Sequence, residues 1–214
     1  MITVVDVETS WQVTDTGGYD PSPYHPDNIL VSVGINDEYY FTNHSERIDD
    51  GCYHNIQSIL DKTTLLVGHN IKFDLMWLIE AGFKYTGKVY DTMLGEYILN
   101  RGIRKSLTLE MSCRRRRIGS KDNRIKEFTD RGIPFQNIPA NVVEEYGRMD
   151  VQITRDLFNS QMADFRMPKN KHLLMTAKMM NEFLIVLSDM EANGININLE
   201  DLSKVEKEYR AEFA

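Results

Sequence analysis

The sequence predicts an α/β protein, in which helices flank a mixed β-sheet and a helical extension follows at the C-terminal end. An apolar, β-branched run fills residues 2–8, and two short β-rich runs after it are spaced as a hairpin. A later apolar run is followed mainly by amphipathic helical patterns. Paired neighbouring strands followed by alternating helices are typical of a mixed sheet covered by helices.

Local patterns place each element in order. Strands are predicted at 2–8, 29–35, 38–42 and 64–68. The Asn36-Asp37 pair suits a tight hairpin turn, and the glycines and prolines of 13–28 predict a loop. Helices are predicted at 53–60, at 72–81 before Gly82, from an Asp91 cap to Leu99, in pieces through 107–131, from Pro139 to Phe165, at 170–192 and from Leu199 onward.

Length and composition indicate an ordinary folded protein. The 214 residues allow one good-sized domain and a small second piece, and 42% of them are hydrophobic. No apolar stretch is long enough to span a membrane, and the apolar N-terminus lacks the basic region of a signal peptide. Cys52 and Cys113 form no metal-binding spacing, so we expect reduced thiols and a cytoplasmic location.

The charge is unevenly distributed. The net charge is −7, which excludes a polycation that coats nucleic acid. Residues 101–126, however, contain ten Lys and Arg against two acids. Such a segment is compatible with a face that follows phosphates, although a run of charge is more often only a solvated surface.

Four carboxylates carry the main functional signal. Asp6 and Glu8 alternate with Val7 on the first strand, so both point to one face of the sheet. Asp74 is expected in the first turn of a helix, and Tyr146 and Asp150 lie one turn apart on another helix. Oxygen ligands of this kind hold Mg²⁺ or Mn²⁺.

Each of these signals has an ordinary structural alternative. Asp6 and Glu8 by themselves fit the solvated end of a strand. Asn70 fits a helix cap, with Asp74 complementing the helix dipole. Tyr146 at helical spacing is more often a core residue.

The three segments together resemble a known family. VVDVET, HNIKFD and YGRMD, in this order, resemble the three motifs of 3′→5′ proofreading exonucleases that use four acids and a tyrosine. The wider sequence over about residues 1–165 is similar to the exonuclease domain of family A DNA polymerases, especially those of phages. LIVLSDMEANGININLEDL resembles the passage into the polymerase thumb, which divides the chain into residues 1–168 and 169–214.

The resemblance implies a ribonuclease-H-like fold and a mechanism with two divalent metal ions. Asp6, Glu8 and Asp150 would hold one metal ion. Asp6 and Asp74 would share the second ion, partly through water. Tyr146 would orient the attacking water. Two metals of this kind stabilise the entering and the leaving oxygen of an in-line displacement.

Six further residues are candidates for binding the substrate. Aromatic stacking tolerates any base, and a charged side chain can contact the backbone. The candidates are Thr9, Trp11, Asn70, Lys72, Lys121 and Arg124. Trp11 fits a loop aromatic packed on the fold equally well. A solvated surface role is the alternative for Asn70, Lys72, Lys121 and Arg124.

The leading functional hypothesis is a DNA exonuclease that removes mispaired 3′ ends and releases 5′-monophosphates. It would serve a polymerase domain, in cis or as a separate subunit, as a phage protein in the cytoplasm of a bacterial host. Two alternatives stay open. One is an RNA-trimming exoribonuclease of the ribonuclease D type, and the other is a catalytically silent domain that binds single strands or docks a polymerase.

Overall fold

The structure, a computed structural model, describes residues 1–119 and 124–213. Its strands are β1 (Ile2–Thr9), β2 (Gln12–Val13), β3 (Tyr19–Asp20), β4 (Leu30–Ile35), β5 (Glu38–Phe41), β6 (Leu65–Gly68) and β7 (Lys88–Asp91). Its helices are α1 (Cys52–Leu60), α2 (Ile71–Glu80), α3 (Thr92–Leu99), α4 (Leu109–Arg116), α5 (Arg124–Thr129), α6 (Ala140–Arg166), α7 (Leu173–Asn193) and α8 (Leu199–Glu212).

Among the described residues, five strands form the main sheet in the order β5-β4-β1-β6-β7. The central strand β1 is antiparallel to β4 and parallel to β6, and β6 is parallel to β7. The predicted mixed sheet is therefore confirmed. Its parallel half brings the carboxyl ends of β1, β6 and β7 to one edge, where the chain enters α2 and α3.

Helices cover both faces of the sheet and divide the core. Val5 and Val7 of β1 belong to a cluster with residues of α1 and α2. Val4 belongs to a second cluster, with Val151 and Phe158 of α6. Because side chains alternate along a strand, the two acids of β1 share the face of Val4 and point toward α6.

Some elements differ from the sequence-based expectation. The edge strand β7 was missed, because its four residues are too few to show a period. The predicted loop 13–28 contains β3, which pairs with β2 as a small separate sheet. In addition, Pro139 has extended ψ and lies at the N-cap of α6, so the helix begins one residue later than predicted.

The C-terminal helices differ in their packing. α7 packs against β7, α3 and α2, and it buries Ala177, Asn181, Leu184 and Ser188. The Asn181 Oδ1 accepts a hydrogen bond of 2.6 Å from the Asp91 N–H. α8 buries no residue, and none of the described helices is long and apolar enough to cross a membrane. The division at residue 168 stays a prediction.

Candidate active site

The first two acids lie at the carboxyl end of β1. Asp6 stands opposite Gly34 in the ladder with β4, and Glu8 stands opposite Ser32. The register shifts between Glu8 and Thr9, an irregularity of the kind that often re-aims side chains next to active sites. Glu8 is only 8% exposed, so its carboxylate is held inside the protein surface.

Asp74 reaches the same place from α2. The chain turns from β6 into this helix through Asn70, whose φ of 65° is left-handed. Asp74 then lies in the first turn, where its Oδ1 accepts a hydrogen bond of 3.0 Å from the Val7 N–H. This bond attaches the start of α2 to the backbone of β1 between the two acids of that strand.

The environment of Asp74 is unfavourable for a negative charge. Burial raises the pKa of this carboxyl well above its usual value, and the negative charge of Asp6 raises it further. The Val7 N–H acts in the opposite direction but does not outweigh them. In the absence of a cation, Asp74 therefore retains a proton to higher pH than an exposed aspartate.

α6 brings Tyr146 and Asp150 to this group from above the sheet. Asp150 is 3% exposed, and the hydroxyl of Tyr146 is hydrogen-bonded to it. Burial raises the pKa of Tyr146, and the charges of Glu8, Asp150 and Asp6 raise it further. The phenol thus stays protonated, and all five predicted residues occupy one electrostatic neighbourhood.

Tyr39 supports the site, and the sequence analysis missed it. Its hydroxyl hydrogen-bonds Ser32 Oγ at 2.8 Å and donates to the Val143 carbonyl at 3.3 Å, which joins β4 to α6. Its ring lies against Gly34 and Gly147, where an added Cβ would meet ring carbons. Gly147, next to Tyr146, was the available signal, but a single sequence does not show that Tyr39 packs against this glycine.

The donor set fits a divalent cation by its chemistry. Glu8, Asp74 and Asp150 are each less than 9% exposed, and buried like charges require protons or cations to offset them. All donors are carboxylate oxygens, the ligands that Mg²⁺ and Mn²⁺ prefer. Within residues 1–119 and 124–213, however, no three His, Cys, Asp or Glu side chains stand in a preformed metal-binding arrangement.

The candidate substrate contacts have varied surroundings. Thr9 is buried, and Asn70 is exposed at the N-cap of α2. Lys72 is ion-paired with Glu191 of α7, and Arg124 is paired with Glu145 at 2.6 Å. Lys121 lies outside the described residues, and Trp11 contacts Tyr19.

Part of the basic segment has an internal role. Arg115 and Arg116 of α4 both bind the buried carboxylate of Glu96, at 3.2 and 2.8 Å. Arg116 also pairs with Asp164 of α6 at 2.6 Å. These two arginines hold α4 on the fold, so the surface available to phosphates is less basic than the sequence indicates.

Sequence comparison identifies the family. The 3′–5′ exonuclease family matches residues 14–163, which is more than half of the chain and includes Asp74, Tyr146 and Asp150. The chain belongs to the 3′–5′ exonuclease family. This exonuclease is therefore a phosphodiester hydrolase. The predicted resemblance to the exonuclease domain of DNA polymerases is confirmed. Asp6 and Glu8 precede the matched region.

A curated relative and several solved structures are similar. DNA polymerase I of Borreliella burgdorferi is 26% identical over 145 residues, which cover 68% of this exonuclease and 15% of that protein. Brucella melitensis NrnC bound to pGG has a TM-score of 0.65 at 18% identity, covering 90% of this chain and 85% of that one. The POL domain of Pol1 from M. smegmatis, in complex with DNA primer-template and dNTP, has a TM-score of 0.67 at 15% identity, covering 98% and 31%.

The structural likenesses establish the fold. The catalytic core of RRP6 from Trypanosoma brucei is also similar, with a TM-score of 0.57 at 12% identity over 86% of this chain and 45% of that one. The predicted ribonuclease-H-like fold is confirmed. This exonuclease spans less than a sixth of the length of the DNA polymerase I that it matches.

Proposed function

We propose that this exonuclease shortens DNA from the 3′ end, releases 5′-monophosphates by a two-metal mechanism and proofreads for a family A DNA polymerase. The observation that carries the proposal is the grouping of four carboxylates with Tyr146, supplied by β1, α2 and α6. Its relative DNA polymerase I favours DNA. A polymerase region in cis or as a separate subunit, and action in the cytoplasm of a phage-infected bacterium, complete the proposal.

The residues have distinct parts in the proposed mechanism. Asp6, Glu8 and Asp150 would hold one divalent ion, and Asp6 with Asp74 would hold the second. Bound ions of this type supply charge stabilisation to the entering and leaving oxygens. Tyr146, kept protonated by its buried and acidic surroundings, orients a water by a hydrogen bond. Burial excludes bulk water and strengthens these interactions.

RNA is the second candidate substrate. The likenesses to NrnC bound to pGG and to the catalytic core of RRP6 cover most of this chain, so the fold does not favour DNA over RNA. The acids would serve the same displacement on either strand. Selection would depend on contacts to the sugar, because the 2′-OH is what distinguishes RNA from DNA at a site.

A cleavage assay tests the proposal. The protein is incubated with matched 5′-labelled single-stranded DNA and RNA, in Mg²⁺, Mn²⁺ or EDTA. We expect a ladder of DNA shortened from the 3′ end in either metal, no products in EDTA, and 5′-monophosphates on chromatography. The Asp6→Ala/Glu8→Ala variant, checked for folding by circular dichroism, is expected to leave both strands intact.

Other outcomes have definite meanings. Preferential degradation of RNA would show that RNA, and not DNA, is the substrate. Products that persist in EDTA or in the folded variant would contradict the metal site. Absence of cleavage with both metals, together with binding of single strands, would leave a catalytically silent binding domain.

A further inference from the structure

A cleft of about 560 Å³ lies beside the end of β1, outside the group of acids. It is lined by Trp11, Tyr19, Pro21, Thr129 and Asp130. Its volume lies within the range of about 300–1,000 Å³ that is usual for small-ligand pockets. The cleft joins the β2–β3 hairpin to the end of α5, two parts of the chain that are far apart in sequence.

The hairpin holds the two aromatic rings in place. Trp11 and Tyr19 are 4.3 Å apart between ring centroids and meet edge to face at 66°. The Asn28 Nδ2 donates to the Asp20 carbonyl at 2.9 Å, and the Trp77 Nε1 donates to the Pro21 carbonyl at 3.1 Å. Tyr19 nevertheless remains 61% exposed, so a firmly positioned aromatic surface faces outward.

The cleft is within reach of the acids. Trp11 follows Glu8 by three residues, and three residues span at most about 11 Å. Stacked bases of one strand are separated by about 3.4 Å along the helix axis. A strand whose terminal phosphodiester lies at the carboxylates would therefore bring one of its last few bases to these rings.

The chemistry of the lining selects a base rather than a phosphate. Two aromatic rings provide π-faces on which any base can stack. The exposed carboxylate of Asp130 repels phosphate, but it can accept a hydrogen bond from an exocyclic amino group at a base edge. We propose that this cleft binds one unpaired nucleobase of the substrate strand, with Tyr19 as a stacking residue. This inference rests on the proposed action on a nucleic-acid strand.

Fluorescence of 2-aminopurine tests the proposal directly. The probe is placed at successive positions from the 3′ end of short DNA and RNA strands, and binding is measured in EDTA so that no strand is cut. We expect quenching at one of the last few positions. Tyr19→Ala should reduce this quenching and weaken binding about tenfold, while Tyr19→Phe should retain both.

Tyr209→Ala provides a matched control. Tyr209 is 58% exposed and also forms an aromatic pair, with Phe213, but it lies on α8. This variant should bind and quench as the unmodified protein does. Equal quenching and affinity in folded Tyr19→Ala, or no quenching at any position, would overturn the proposal. Absence of cleavage in Mg²⁺ with quenching retained would instead count only against the proposed nuclease activity.

Discussion

At the scale of the single residue, the position of Asp74 lowers the stability of the folded protein. Its carboxyl is buried, and the charge of Asp6 raises its pKa further. We predict that Asp74→Asn lowers cleavage by at least about a hundredfold and leaves Tm unchanged or a few degrees higher in EDTA. The amide oxygen still accepts from Val7, and the like charge is gone. A calorimetric scan showing a large loss of stability would make Asp74 a structural residue instead.

Tyr146 and Tyr39 form a natural comparison, since each is a phenol near Glu8, Tyr39 being buried and Tyr146 partly buried. Tyr146→Phe should lower kcat roughly tenfold to a thousandfold and leave strand affinity nearly unchanged, because the proposed water-orienting hydroxyl is lost together with its hydrogen bond to Asp150. Tyr39→Phe should leave kcat nearly unchanged and lower stability. Its hydroxyl bonds Ser32 and Val143, so its loss should cost about 1 kcal/mol of stability. Single-turnover rates and urea unfolding of both variants separate the two roles.

At the scale of the element, the position of α6 over the sheet decides where Asp150 lies. Gly147 permits that approach, because an added Cβ would stand 2.5–2.9 Å from atoms of the Tyr39 side chain. Gly147→Ala should destabilise the protein by about 1–3 kcal/mol and lower cleavage at temperatures where it stays folded. Shortening the facing side chain by Tyr39→Leu should restore part of the activity; a double variant no better than Gly147→Ala would argue against the contact.

The packing of α4 depends on an ion-pair group with a defined pH response. Burial raises the pKa of Glu96, but hydrogen bonds and charge from Arg116, with help from Gln161 and Arg115, outweigh burial and hold it below its usual value. A lowered pKa stabilises the fold above the unfolded-state value of about 4.3, and this contribution is lost as pH falls through the folded-state value.

Glu96→Gln measures that contribution. At pH 7 the variant should lose about 1–3 kcal/mol of unfolding free energy, because two partly buried arginines lose a charged partner. The difference from the unmodified protein should shrink as pH falls below about 4. Urea unfolding at several pH values provides the test, and a pH-independent difference would show that charge is not responsible.

At the scale of the whole molecule, the sequence predicted local structure and missed most contacts between distant segments. The β-branched run of β1 and the helical spacing of α6 were sufficient to predict both elements. The ordered acidic motifs predicted a shared location for the four acids and Tyr146, and the roles of these residues in catalysis stay a prediction. β7 is too short for such a pattern. The pairing of Lys72 with Glu191, 119 residues away, depends on the packing of α7 and cannot be predicted from either segment alone. Tertiary contacts of this kind decide which candidate side chains face the substrate.

The same distant contacts make metal binding a property of the whole fold, because β1, α2 and α6 must be assembled before their acids meet. We predict that Mg²⁺ raises Tm by roughly 5–10 °C at about a hundred times its Kd, since a ligand bound only to the folded state stabilises it by about 2.7 kcal/mol. NaCl at equal ionic strength serves as the control. Asp6→Asn should abolish most of the rise, because Asp6 is shared between both proposed metal positions. An equal rise with NaCl, or in the variant, would show that Mg²⁺ screens charge without occupying this site.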